Sequence, residues 1–219
     1  MANHFFPAIN ESLNPDHFPF GYAYEVNLFT TGGWYFNGSQ NSTLGKGWDI
    51  GLMTLGKRIL PDGRLTRLEL GGVTGWNNFC VTNCLQSYWG LSQYGYPGNY
   101  YGAQRMTESQ HLASEGSRWG SFASGDFVAG SGMEGGSSGG PSVSNPGSIS
   151  DSAAFSGNWT LRNVIFAATS WGYPGAGIKV QGYSPLSGPS NVNDFRGMFN
   201  VMCASARANH GAASCTDLP

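Results

Sequence analysis

Apolar residues in this chain come in short runs, and glycine, proline, serine or asparagine interrupts them every several positions. Runs of that length bounded by turn formers mark short strands, because an ordinary helix needs a longer uninterrupted stretch. Strands are expected over residues 24–29, 50–55, 65–70, 127–129 and 161–169. One stretch differs: over about 193–207, Phe195, Met198, Phe199 and Met202 recur at spacings that gather them on one face of a helix. The pattern predicts an all-β protein with a C-terminal helix. No segment repeats at a fixed period. Residues 131–156 are rich in Ser and Gly, which by composition alone reads as a flexible linker.

The chain has 219 residues, enough for one large all-β domain or two small barrels. Apolar residues make up 40% and aromatics 14%, so a core can form despite 34 glycines. Charged residues are only 11%, against about 25% in typical soluble domains. With a net charge of -2 there is no basic face for phosphates, which argues against nucleic acid as a partner. No apolar run approaches the roughly 20 residues of a membrane helix. The opening Met1-Ala2-Asn3-His4 lacks the charged and apolar regions of a secretory signal, so secretion would need a signal outside this sequence.

Cys80, Cys84, Cys203 and Cys215 form two close pairs. Two local disulfides in an oxidising compartment fit this spacing, three connectivities are possible, and a zinc site would need all four thiols to converge. Asn10, Asn37, Asn41 and Asn158 each begin an Asn-x-Ser/Thr sequon, a weak sign of secretion in so Asn- and Ser-rich a chain.

The chemistry centres on Gly136-Ser137-Ser138-Gly139-Gly140-Pro141. A nucleophilic serine needs backbone amides aimed at the developing oxyanion, and glycines keep side chains out of their way. Ser138 is the candidate nucleophile, with the Gly136 and Ser138 N–H groups as the hole. Upstream, Trp48-Asp49-Ile50-Gly51-Leu52-Met53 sets Asp49 at the start of an apolar strand, where a buried carboxylate can orient an imidazole. Downstream, the strand from Val164 ends in Ser170-Trp171-Gly172.

In that order these segments resemble the trypsin-like serine peptidases. The glutamyl-endopeptidase branch is similar also at Phe6-Pro7-Ala8-Ile9-Asn10, Gly95-Tyr96-Pro97-Gly98 and Met106-Thr107-Glu108-Ser109, and the likeness runs from about Phe5 to Phe199. The resemblance implies a chymotrypsin-like double β-barrel with its site in the cleft between barrels. The N-terminal barrel would occupy 1–75 and the C-terminal barrel 76–219, with a surface insertion near 142–160. Asp49 would orient the histidine, Ser138 would attack the scissile carbonyl of a polypeptide, and Ser170, Trp171 and Gly172 would hold substrate backbone and line the primary pocket. Gly132 and Met133 would lie at the pocket base and suggest an uncharged preference. No metal or organic cofactor is required.

The resemblance breaks at three places. Glutamyl-specific members carry a histidine where Ser170 stands, so glutamate specificity is not implied. Ser137 replaces the aspartate that serves the zymogen switch in trypsin. The catalytic histidine, expected in an Ala-His-Cys-like turn upstream of Phe6, has no counterpart. His4 abuts the apolar strand without room for the usual loop, His17 and His111 read as solvated residues of polar connections, and His210 reads as a tail residue. The expectation is a first barrel that lacks its opening strands, exposing apolar interior and unpaired edges, and a chain close to inactive.

Two rivals compete. Gly-x-Ser-x-Gly with Asp194 and His210 fits the chain order of an α/β-hydrolase, but Pro141, Asn145, Pro146 and Gly147 oppose the helix that fold needs after its serine. A catalytically dead peptidase-like domain could instead bind peptides through exposed aromatics such as Trp34, Tyr35 and Tyr100.

Overall fold

The structure, a computed structural model, describes residues 4–5, 19–37, 45–66, 70–75, 77–81, 90–112, 127–144, 163–172, 177, 179–186 and 192–217. Contacts divide the chain into two units. One comprises Met1–Thr30, Gly51–Trp76 and Arg196–Pro219, the other Thr31–Ile50 and Asn77–Phe195.

The first unit holds a three-stranded antiparallel sheet of β1 (His4–Phe5), β2 (Ala23–Thr30) and β3 (Gly51–Leu55). β2 bulges between Glu25 and Asn27 as it pairs with β3. Tyr24, Val26, Leu28 and Met53 are exposed on these strands, Leu28 to 64%. Of the strand expected over 65–70, Leu65 makes a bridge, Thr66 lies outside any strand and Leu70 opens a helix, while 67–69 lie outside the described residues. Leu60, Gly63 and Arg64 close a tight turn, so the chain makes a single bridge between Ile59 and Leu65 rather than a ladder. A short helix, Leu70–Thr74, follows, anchored by buried Leu70.

The second unit holds a seven-stranded sheet. Six strands run in the order β6 (Thr107–Leu112), β5 (Gly90–Gly95), β8 (Pro141–Ser144), β9 (Val164–Gly172), β10 (Val180–Pro185) and β7 (Phe127–Gly130), every neighbouring pair antiparallel. The two-residue β4 (Asn78–Phe79) adds parallel to β9. Leu91, Phe166, Ala167 and Tyr183 form the centre of its core. Residues 142–144, expected to open a surface insertion near 142–160, are instead buried in β8, and 145–160 lie outside the described residues. A second unexpected helix, α1 (Gly32–Asn37), starts at Thr31, whose hydroxyl accepts the Trp34 N–H at 3.2 Å in an N-cap. Glycines and few residues hide both short helices, α1 and α2 (Leu70–Thr74), from any periodicity.

The C-terminal helix α3 (Val192–His210) is longer at both ends than its apolar stripe requires. Phe195, Met198 and Cys203 are buried on it, at successive spacings that keep them near one face. Cys203 is bonded to Cys215, and Arg207 makes a bidentate pair with Asp217. Cys80 is also in a disulfide, while Cys84 lies outside the described residues. Bonded sulfurs cannot act as zinc thiolates, so the four-thiol metal site is ruled out by the Cys203–Cys215 bridge. Among the described residues no helix is long and apolar enough to cross a membrane.

Candidate active site

The segment between β7 and β8, read by composition as part of a linker, is an ordered turn. Gly136 and Gly140 are required there by contact. Gly136 has φ +101°, and a Cβ there would stand 2.5 Å from the Tyr96 carbonyl oxygen; at Gly140 a Cβ would stand 1.9 Å from that of Tyr94. The chain therefore presses against the end of β5 in a way that no other residue permits.

The carbonyls of this turn face the protein. Gly135 O accepts the Gly98 N–H at 2.8 Å, and Ser137 O accepts the Gly140 N–H at 3.0 Å. In a planar trans peptide the N–H of the next residue points the opposite way. The Gly136 and Ser138 N–H groups have no acceptor among the described residues. Ser138 itself is exposed, while Ser137 is buried to 1%. Two such amides next to an exposed serine are candidates for binding an oxyanion.

The turn is tied to the end of β9. Gly139 N donates to Thr169 O at 2.7 Å and Thr169 N to Gly140 O at 2.8 Å. The next residue on that strand, Ser170, donates its hydroxyl to the Asp49 carboxylate at 2.8 Å. Asp49 is held between two fixed neighbours. The Trp48 carbonyl accepts from the Thr31 hydroxyl at 2.6 Å and from Ile50 N at 2.8 Å, and Ile50 is buried. Half-buried, the Asp49 carboxyl is pushed above the usual carboxylate range by loss of water, and the Ser170 hydroxyl opposes that rise. Thr169 and Ser170 thus bring the Ser138 turn and Asp49 to one strand end.

Trp171 lies against β10, where a Cβ on Gly182 would stand 2.0 Å from the indole; the ladder shifts register just after Gly182. Gly172 is exposed at the end of β9. Met133 is 3% exposed, and Gly132 is covered by the Tyr100 hydroxyl. Asn99 clamps this part of the turn, donating to Gly132 O at 2.9 Å and accepting Glu134 N–H at 3.1 Å.

Among the described residues of the unit that carries Ser138, the histidine is His111. His111, expected to be solvated, sits on β6 with its ring nitrogens buried and without a hydrogen bond of good geometry, tilted against the Tyr183 ring. Alternation along a strand turns one face inward, which the polar composition of its segment concealed. Burial pushes its imidazole below the usual range, only partly offset by the Ser109 backbone. It pairs with Leu91, whereas Ser137 packs on Gly95, four residues further along β5 and about 13 Å away at the rise of a strand. His111 cannot serve Ser138 from there. His210 closes α3, where its Nε2 meets the Leu55 carbonyl at 2.8 Å, so it is a fixed residue of the first unit rather than a loose tail. His4 is in β1, its backbone paired with Tyr24. His17 lies outside the described residues.

Sequence reading missed the side chains under the turn. Gln93, Gln181, Ser131 and Thr169 are each at most 5% exposed and hydrogen-bond one another or the turn. Their only signal is uncharged polar residues within strands of a chain poor in charge.

The sequence matches no protein-family model and no curated protein. Solved structures do match. The chain is similar to the protease Anisep from Arthrobacter nicotinovorans, with a TM-score of 0.62 and 18% identity over 93% of this chain and 75% of that one. It is similar also to a thermostable serine protease, AL20, from an extremophilic microorganism, with a TM-score of 0.58 and 18% identity over 90% and 74% of the two chains. A Glu endopeptidase crystallised with MPD gives a TM-score of 0.60 and 13% identity over 93% and 72%. The chain has the chymotrypsin-like fold of serine proteases. That fold is all-β with a C-terminal helix, as expected, and it removes the α/β-hydrolase alternative, since β8 rather than a helix follows Ser138.

Proposed function

We propose that this chain is the peptidase domain of a secreted serine endopeptidase that cleaves polypeptides through an acyl-enzyme on Ser138. The observation that carries this reading is the anchoring of the Ser138 turn and of Asp49 on adjacent residues of β9, Thr169 and Ser170. In the proposed reaction the Ser138 oxygen bonds to the scissile carbonyl carbon while its proton passes to a base. The carbonyl electron pair moves to an oxyanion between the Gly136 and Ser138 amides. Its collapse breaks the C–N bond, the base returns the proton to the leaving amine, and water then hydrolyses the ester by the same route. Ser170, Trp171 and Gly172 would hold the substrate backbone, with Met133 and Gly132 behind the pocket. The disulfide fits an extracellular setting.

The base is the imidazole that Asp49 would orient. Within the unit that carries Ser138, the described residues include one histidine, His111, at the far end of the β5–β6 hairpin. Loss of a triad member costs around 10⁶ in turnover, about 8 kcal/mol of barrier. A Ser138 site without an imidazole oriented by Asp49 is therefore expected to be close to inactive. The same observation favours a second reading, a non-catalytic peptidase-like domain that binds peptides.

Chemical rescue separates the two. Hydrolysis of a peptide p-nitroanilide is followed with and without added imidazole. The peptidase reading expects imidazole-dependent turnover that Ser138→Ala and Asp49→Asn both lose. Equal rates for wild type and Ser138→Ala at every imidazole concentration would favour the binding domain.

A further inference from the structure

The Ser138 turn rests on a closed network of neutral side chains. Gln93 Nε2 donates to Gln181 Oε1 and to Thr169 Oγ1, the latter at 3.2 Å. Gln93 Oε1 accepts from Ser131 Oγ at 2.6 Å and from the Tyr183 hydroxyl at 3.1 Å. Gln181 Nε2 donates to Met133 O at 2.7 Å and to Ser137 Oγ at 3.0 Å, and Ser137 Oγ donates onward to Glu134 O at 2.8 Å. Both N–H groups of each amide and both lone pairs of Gln93 are used, so the two amides are fixed in one orientation. Gln93 and Tyr183 are 0% exposed and Gln181 is 5% exposed.

We propose that Gln181 is the positioning residue of the oxyanion-binding amides, with Gln93 orienting it. This rests on the reading of Ser138 as nucleophile. Gln181 does not touch substrate. It holds the Met133 carbonyl directly and the Glu134 carbonyl through the Ser137 hydroxyl, the peptide units that lead into Glu134 and Gly135. Glycine at 135 and 136 leaves the adjoining peptides free to rotate. Gln181 therefore fixes one side of the segment whose other side is fixed by Gly98 N on Gly135 O. Ser137 occupies the position directly before the nucleophile, and its partner here is a neutral amide 44 residues away.

The test compares wild type with Gln181→Met, which keeps the length of the side chain and removes its donors. Two readouts are taken: backbone hydrogen exchange by mass spectrometry, and the rate of phosphonylation by an alkyl fluorophosphonate, resolved into reversible encounter and maximal rate. Gln181→Met is expected to exchange faster in 131–140 than wild type while 164–172 is unchanged. Its maximal phosphonylation rate is expected to fall about 100-fold, the scale of losing one oxyanion donor, with the encounter constant within about threefold. Unchanged exchange in 131–140 together with an unchanged maximal rate would overturn the proposal. If wild type takes no label, the peptidase reading falls, and exchange alone decides whether Gln181 positions the turn. If Gln181→Met does not fold, Ser137→Ala is put to the same two measurements, with the same expected and overturning results.

Discussion

Replacing Gln93 by Leu should cost more stability than almost any other single change in the second unit. The side chain is wholly buried, and its loss strands specific groups. Ser131 Oγ and the Tyr183 hydroxyl lose their acceptor, while Gln181 Oε1 and Thr169 Oγ1 lose a donor. A buried polar group left unsatisfied costs roughly 1–3 kcal/mol. Two stranded donors and two weaker acceptor losses, partly relieved by repacking, come to about 3–6 kcal/mol. That is a large share of the roughly 5–15 kcal/mol of a typical domain. For a chain of this length, about 2–4 °C per kcal/mol puts the fall in Tm at about 10–20 °C. Urea unfolding and calorimetry measure it. Tyr183→Phe is the control, since it removes one hydroxyl from the same network and should cost only about 1–2 kcal/mol. A Gln93→Leu protein within about 1 kcal/mol of wild type would refute the reasoning, because the network would then contribute nothing beyond its volume.

Gly140→Ala should destabilise by about 3 kcal/mol or more, because its methyl group would lie 1.9 Å from a backbone oxygen that belongs to a paired strand; thermal melts would check it. Asp49→Asn should raise Tm near neutral pH. The Asp49 carboxyl is held above its unfolded value by burial, so the folded state binds its proton more tightly and this group's contribution falls as pH rises from the usual carboxylate range through the raised value. The advantage of the Asp49→Asn protein should vanish at pH values below the usual carboxylate range, and a pH series of melts on both proteins shows whether it does. Cys203→Ala with Cys215→Ala opens a loop with a sequence separation of 12, and should cost about 2–4 kcal/mol in urea, as should reduction of the bridge.

The parts of the molecule that sequence made legible are those where local chemistry is the cause. Alternating short apolar runs placed β2, β3, β7 and β9 within a few residues, and the apolar stripe of Phe195, Met198, Phe199 and Met202 marked α3. Gly136 and Gly140 stand out because backbone contact allows nothing larger there. The apolar residues at 65 and 70 were read as one strand, whereas Leu65 pairs back across a turn to Ile59 and Leu70 opens a helix. Long-range polar pairing left no trace. Gln93 and Gln181 lie 88 residues apart and Asp49 and Ser170 lie 121 apart, so no window of sequence holds both partners. His111 was misread for a related reason: its burial depends on Tyr183, brought beside it by the fold.

The proposed function depends on Ser138 being a nucleophile. Mass spectrometry of the protein after incubation with an alkyl fluorophosphonate, followed by peptide mapping, tests it most directly. One adduct is expected, on Ser138, formed slowly, accelerated by added imidazole and absent from Ser138→Ala. No adduct at any imidazole concentration, or an adduct on another residue that Ser138→Ala leaves in place, would contradict it.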